Sequence, residues 1–165
     1  MTAESELPFD AQLAHRYFAS NCFNLTWSLM ERADRSSQED EAMVLAATAS
    51  LWHWTQRDDC TPQNLSIGHW QVSRVYALVG QGQNAMRHAI RSLQLAGGLS
   101  PFYEGYSYEA VARAASLLGD QSQFEAACGC ATKLLAQITD DGERQALSDD
   151  LKSLTPPSPA STPPA

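Results

Sequence analysis

Aromatic rings and imidazoles, side chains well suited to building a pocket, concentrate in residues 51–76, LWHWTQRDDCTPQNLSIGHWQVSRVY. This stretch holds three of the four tryptophans and two of the four histidines. Imidazole can transfer protons or bind a metal ion, and indole can bind an apolar group. One hypothesis is therefore a small-molecule-binding protein or an enzyme with a pocket lined by His53, Trp54, His69 and His88.

The spacing of these residues does not favour a metal centre. A site on His53 and His69 would need a third ligand, and the candidates are His88, Asp58 and Cys60. Pairs one helical turn apart, as in HxxxH or HExxH, are absent from the sequence. The glycine-bearing GQGQNA at residues 80–85 joins two predicted helices and follows no strand, so it does not match a phosphate-binding loop. We expect no metal and no cofactor, and we expect the indoles to pack between helical hairpins.

Composition limits the classes of partner. A chain of 165 residues suits one domain, and its 19 acidic and 11 basic residues give a net charge of -8. A chain with this net charge lacks the basic surface that binding to nucleic acid or to an anionic membrane would require. The start, MTAESELPFD, has no signal-peptide pattern, and no apolar stretch approaches the ~20 residues of a membrane span. The four cysteines form no CxxC pair, so the sequence predicts reduced thiols in a cytoplasmic protein.

Helix signals recur along the chain, and no segment alternates apolar and polar residues as a strand would. Helix starts are predicted at the capping residues Asp10, Ser37, Thr61, Ser100 and Asp140. The second predicted helix, with Ala42, Leu45 and Ala49, is apolar almost all round, which predicts that it is covered on more than one side. We expect an all-α domain over residues 10–154, a flexible segment over residues 1–9 and a disordered proline-rich tail over residues 155–165.

A helix–turn–helix pattern repeats along the chain. The segments WQVSRVYALVG and YEAVARAASLLG end in glycines 39 residues apart, and each is followed by another predicted helix. In this pattern the chain resembles the tetratricopeptide repeat family. The matching residues are Tyr76, Gly80, Ala85 and Ser92 in the middle unit and Tyr108, Ala112, Gly119 and Ala131 in the last.

The first unit is degenerate, with Ser37 where the family has glycine. Nearly the whole chain is also similar to a group of small bacterial proteins described as tetratricopeptide-like, through FNLTWSLMERADRSSQEDEAM, GHWQVSRVYALVG and YSYEAVARA. The resemblance implies a right-handed stack of about three antiparallel helical hairpins with a short C-terminal cap helix.

The same resemblance implies a concave groove that binds a peptide or a protein segment. The groove-facing positions are Trp27, Glu31, Trp70, Arg74, Glu109 and Arg113. The arginines could hold a peptide carboxylate, or Arg74 could pair with Glu109 in an internal salt-bridge lattice. The sequence therefore favours a noncatalytic interaction module over an enzyme. Self-association through apolar end faces is a third option.

Overall fold

The computed structural model describes residues 9–157, and this part of the chain contains seven α-helices and no strand. The helices are α1 (Ala11–Met30), α2 (Ser37–Thr55), α3 (Pro62–Leu78), α4 (Gly82–Ala96), α5 (Pro101–Leu118), α6 (Gln121–Leu135) and α7 (Asp141–Lys152). The all-α prediction is confirmed. Residues 1–8 of the predicted flexible segment and residues 158–165 of the predicted tail lie outside the described part.

The chain divides into two compact units, Met1–Thr61 and Pro62–Ala165. In the first unit α1 packs along α2. In the second unit α3 packs on α4 and α5, while α5 also contacts α4, α6 and α7. None of the described helices combines the length and the apolar composition needed to cross a membrane.

Side-chain caps start several helices. The Asp10 carboxylate accepts the Leu13 N–H at 3.0 Å, and the Asp140 carboxylate accepts the Glu143 N–H at 2.8 Å, as their positions predict. The predicted cap of α2 is wrong by one residue, because Ser36 rather than Ser37 caps this helix. Glu39 lies three residues after Ser36, so its carboxylate can return a hydrogen bond to the Ser36 N–H, at 2.8 Å, and complete a capping box.

The interior of the first unit is built from small residues. Ala19 of α1 and Ala47 of α2 are fully buried, and the Ser50 hydroxyl donates a 2.7 Å hydrogen bond to the Ala19 carbonyl. Met43 is the largest fully buried side chain of this hairpin. Small side chains let two helices approach closely, so a short hydroxyl-to-carbonyl bond can join them.

The outer surface of this hairpin is also apolar. On α2, Leu45 is 61% exposed and Trp52 is 54% exposed, while Met43 and Ala47 face α1. The expectation that α2 is covered on more than one side is therefore wrong within the described residues. Apolar residues all round a helix make burial favourable on every side. Whether each side is buried depends on whether another helix packs against it.

The second unit is held together by serines as well as by its apolar core. Ser66, Ser92 and Ser107 are buried and lie on α3, α4 and α5, respectively. The Ser92 hydroxyl donates to the Ser66 carbonyl at 2.9 Å and lies 2.8 Å from the Ser107 hydroxyl. One apolar cluster in the core of this unit contains Ala89, Ala110, Val111, Ala112, Ala115, Phe124 and Ala127. Because the three serines and the alanines are small, α3, α4 and α5 can converge while the serine hydroxyl groups remain hydrogen-bonded.

Helix α7 packs against α5 through a single deeply buried leucine. Leu147 is fully buried, and a Cβ atom added to Gly105 of α5 would lie 2.6 Å from Leu147 Cδ2. Beyond α7, the Ser116 hydroxyl donates to the Thr155 carbonyl, and Pro157 is buried. The first residues of the predicted tail are therefore packed against the protein.

The Gly105–Leu147 contact gives a stability prediction. Gly105→Ala is expected to lower the free energy of unfolding by about 1–3 kcal/mol, since the added methyl group would overpack the α5–α7 contact. The control is Gly129→Ala in α6, where an added Cβ meets no described atom within 4 Å beyond its own helix. This change is expected to be neutral or to stabilise by up to about 1 kcal/mol.

Urea denaturation of both variants measures the difference. When Leu147→Ala is combined with Gly105→Ala, most of the free-energy cost of Gly105→Ala should disappear, because the Leu147 methyl group that blocks the added Cβ is then absent. An undiminished cost in the double variant would contradict the close-contact explanation.

Candidate functional site

A buried ionic network lies at the centre of the second unit. Glu109 of α5 is fully buried, and its Oε1 accepts hydrogen bonds from Arg74 Nη1 of α3 at 3.0 Å and from Arg113 Nε at 2.8 Å. The Arg113 Nη2 group donates to the same oxygen. Of the two alternatives that the sequence left open for Arg74, the internal pair with Glu109 is therefore present in the structure.

A second carboxylate completes this network. Asp150 of α7 accepts a hydrogen bond from Arg74 Nη2 at 2.8 Å and another from the Tyr106 hydroxyl at 3.1 Å. Arg113 Nη2 donates to the Ser153 hydroxyl at 3.1 Å and lies 3.9 Å from Asp150. Two guanidinium groups and two carboxylates thus balance in charge. Burial, with the neighbouring Asp150 carboxylate, raises the pKa of the Tyr106 phenol well above its ordinary value, so this hydroxyl remains a donor.

Sequence reasoning missed Tyr106, Asp150 and Ser153. One signal was available, because Leu147 and Asp150 are three residues apart on α7 and share a helix face. A leucine and an aspartate that share one face of an otherwise polar helix are compatible with a packed face that carries a paired carboxylate. The identity of its partner depends on tertiary packing.

The six predicted groove residues are distributed over both units. Trp27 and Glu31 lie at the C-terminal end of α1 in the first unit, where the Glu31 N–H caps the helix through the Trp27 carbonyl. In the second unit Arg74, Glu109 and Arg113 share the ionic network. Trp70 packs against the core there and meets the Tyr106 ring edge-on at 5.4 Å.

The histidines form two pairs, each within one unit. His15 and His53 join α1 to α2 with their Nδ1 atoms 2.9 Å apart. His69 and His88 join α3 to α4 with their Nδ1 atoms 3.0 Å apart. At this distance one Nδ1 donates a hydrogen bond and the other accepts it, so the two rings have complementary tautomers. The pairing of His53 with His15 was not predicted.

Burial favours the neutral form of His53, His69 and His88. It lowers the pKa of His69 to about 4, assisted by His88 and Arg91, and it lowers the pKa of His88 to about 4, assisted by Arg87. Burial and the neighbouring His15 also lower the pKa of His53. Within residues 9–157, no three His, Cys, Asp or Glu side chains lie close enough together to hold a metal ion.

The remaining residues of the predicted pocket have other neighbours. The Arg57 guanidinium stacks over the Trp54 ring, 3.8 Å from its centroid. The four cysteines are free and half-buried. A surface depression of about 190 Å³ in the second unit contains none of the predicted pocket histidines. It is lined by Ala77, Leu78, Arg113, Ser116, Leu117, Ser153, Leu154 and Thr155.

The first unit carries a contiguous set of rings, which we call the aromatic patch: the exposed Tyr17, Phe18 and Trp52 and the half-buried His15 and His53. Phe18 stacks on His53 at 5.3 Å between ring centroids, and Tyr17 meets Phe18 edge-on at 5.2 Å. Trp52 contacts His53 at 4.8 Å and His15 at 5.4 Å, both edge-on. The expectation that the indoles are packing residues is wrong for Trp52, because more than half of its surface remains exposed.

Exposed apolar surface extends beyond the aromatic patch. Among the described residues of the first unit, the other large exposed apolar side chains are Phe9, Leu13, Leu25, Trp27 and Leu45. Exposed large apolar groups that lie together are typical of interaction surfaces, whereas single ones are common on any protein. The aromatic patch is such a group, because its rings contact one another, and Leu45 adds further exposed apolar surface on α2.

Comparison with protein-family models, curated proteins and solved structures found no match to this chain.

The ionic network gives a second stability prediction. Glu109→Gln is expected to lower the free energy of unfolding by about 3 kcal/mol, because two guanidinium groups would lose the buried charge that they share. Glu125→Gln, on the exposed side of α6, is the control and should stay within about 0.5 kcal/mol of the wild type. Guanidinium chloride denaturation measures both variants. Equal stabilities would show that the network contributes little.

The histidine pairs predict that stability depends on pH. The pKa of about 4 for His69 and His88 in the folded chain lies below the ordinary value of 6.5, so the unfolded chain binds more protons between these values. Stability should therefore fall as the pH is lowered from 7 to 5. His88→Gln removes one of these groups, so its thermal midpoint should vary less steeply over the same range. An equally steep dependence in this variant would assign the effect to other groups.

Proposed function

We propose that this chain is a noncatalytic protein-interaction module that binds a segment of a partner protein on the outer face of its first hairpin. The observation that carries the proposal is the exposure of Trp52 and Leu45 on α2 together with that of Tyr17 and Phe18 on α1. Aromatic anchors of this kind are frequent among the residues that dominate binding energy in protein interfaces. A partner that covered them would remove a large apolar area from water.

The internal pairing of the arginines favours the hairpin face over the predicted groove. Arg74 and Arg113 already hold Glu109 and Asp150, and both guanidinium groups are mostly buried. A peptide carboxylate would have to displace Asp150 and loosen α7 in order to bind them. The network is better suited to stiffening the second unit, so we assign it a structural role.

The proposal retains a diverged, right-handed tetratricopeptide-like arrangement in the cytoplasm. Packing in the second unit supports it, since α3 lies against both α4 and α5, and α5 also lies against α6. In such a stack the first helix of one hairpin contacts both helices of the preceding hairpin. The left-handed backbone at Gly80 and Gly119, with φ of 73° and 74°, supplies the tight turns that this arrangement needs.

The alternative of a histidine-lined pocket has less support. His69 and His88 use Nδ1 to bind each other, and His53 uses Nδ1 to bind His15. These nitrogens would have to exchange partners before they could act on a substrate.

A capture experiment with matched variants tests the proposed module. The face variant combines Leu45→Ser with Trp52→Ser, and the control combines Ile90→Ser with Leu117→Ser, which alters two exposed apolar residues of the second unit. Both should remain folded, as judged by circular dichroism. We expect a protein that is retained by the wild type and the control to lose at least about tenfold in recovery with the face variant.

The captured protein must then bind the purified wild-type chain in a calorimeter with the same dependence on the variants. Equal recovery by all three proteins would contradict the proposed function.

A further inference from the structure

We infer, building on the proposed function, that the partner segment is a basic amphipathic helix that lies along the outer face of α2. We define the α2 outer face by Ala42, Leu45, Ala49 and Trp52. Leu45 and Trp52 are two turns apart, and the alanines lie beside them on the same side of the helix.

The spacing of large and small residues on the α2 outer face suits a helix better than an extended peptide. Leu45 and Trp52 are seven residues apart, which corresponds to about 10.5 Å along the helix axis. A partner helix with apolar residues seven apart would present anchors at the same interval. Ala49 leaves room for an anchor between the two large side chains, and Ala42 leaves room for another on the N-terminal side of Leu45.

Acidic groups flank this face at both ends. Glu41 is exposed one turn before Leu45, and it forms no ion pair with any described residue. At the other end Asp58 and Asp59 are exposed close to α1. Arg16 approaches both carboxylates, and Arg57 also holds Asp59 through two hydrogen bonds of 2.8 and 2.9 Å. The Arg16–Asp58 pair is exposed on both sides and therefore weak, so a partner can compete for the Asp58 carboxylate.

The net charge of the first unit also favours a basic partner. Residues 1–61 contain 10 acidic and 4 basic side chains, so this segment contributes -6 to the net charge of -8. Two copies of this face would repel each other, and an anionic lipid surface would repel it as well. Lysine or arginine residues flanking an apolar stripe would be complementary to it, which identifies the partner as a basic helix.

Two synthetic peptides of about 18 residues test this inference. Both carry the same leucine stripe at helical spacing, one with lysine and the other with glutamate at the polar positions. Each is labelled with a fluorophore, and anisotropy is measured against the full chain at about 50 mM and 150 mM salt. We expect saturable one-to-one binding of the lysine peptide, at least about tenfold tighter than that of the glutamate peptide.

Three variants locate the site. The Leu45→Ser, Trp52→Ser variant should weaken binding of the lysine peptide by at least about tenfold. Glu41→Gln should weaken it by about threefold and should reduce its dependence on salt. The Ile90→Ser, Leu117→Ser variant has the same number of apolar replacements in the second unit and should bind as the wild type does.

Several outcomes would overturn the inference. Undiminished binding to the face variant would show that the lysine peptide recognises only the general negative charge. Equal binding of the two peptides at the α2 outer face would contradict the inference that the partner is basic. It would not contradict the proposed interaction module. Sedimentation showing a dimer that the face variant abolishes would identify the occupant as a second copy of this chain.

Discussion

The buried carboxylate of Glu109 is the constraint on which the second unit depends. A carboxylate removed from water is strongly unfavourable unless positive groups and hydrogen bonds compensate for its lost hydration. Arg74 supplies one such group from α3, and Arg113 supplies another from the next turn of α5. Since one carboxylate cannot balance two guanidinium groups, Asp150 of α7 is required as well. The electrostatic balance of this interior therefore brings three helices into a defined register.

Small residues make this arrangement sterically feasible. The serines of α3, α4 and α5 satisfy one another's hydroxyl groups in the interior, and Gly105 leaves space for Leu147 of α7. The polar groups of this unit thus find most of their partners inside the chain. The first unit differs in degree, because Leu45 and Trp52 are 61% and 54% exposed, whereas Leu117, the most exposed large apolar residue described in the second unit, is 48% exposed. For this reason the proposed recognition surface lies on the first hairpin.

The local features of the helices were accessible to sequence reasoning, and their lateral contacts were not. Asp10 and Asp140 cap helices as predicted, since a cap depends on residues only three positions apart. The choice of Ser37 over Ser36 failed because the reciprocal bond from Glu39 was overlooked, although its spacing is visible in the sequence. The pair between Arg74 and Glu109 could be considered because the repeat pattern aligns α3 with α5. The contribution of Asp150 could not, because 76 residues separate it from Arg74.

The sequence by itself determined that this chain is helical, where most of its helices begin and end, and which residues are apolar or charged. These properties depend on local backbone geometry and on side-chain chemistry. Only the tertiary structure decided which apolar faces are covered and which partner each ionisable group has. Trp52 and Trp70 are the same residue type on similar helices, but Trp52 lies exposed on α2 and Trp70 packs against a core. The physical reason is that burial and pairing depend on neighbours distant in sequence, which local patterns do not specify.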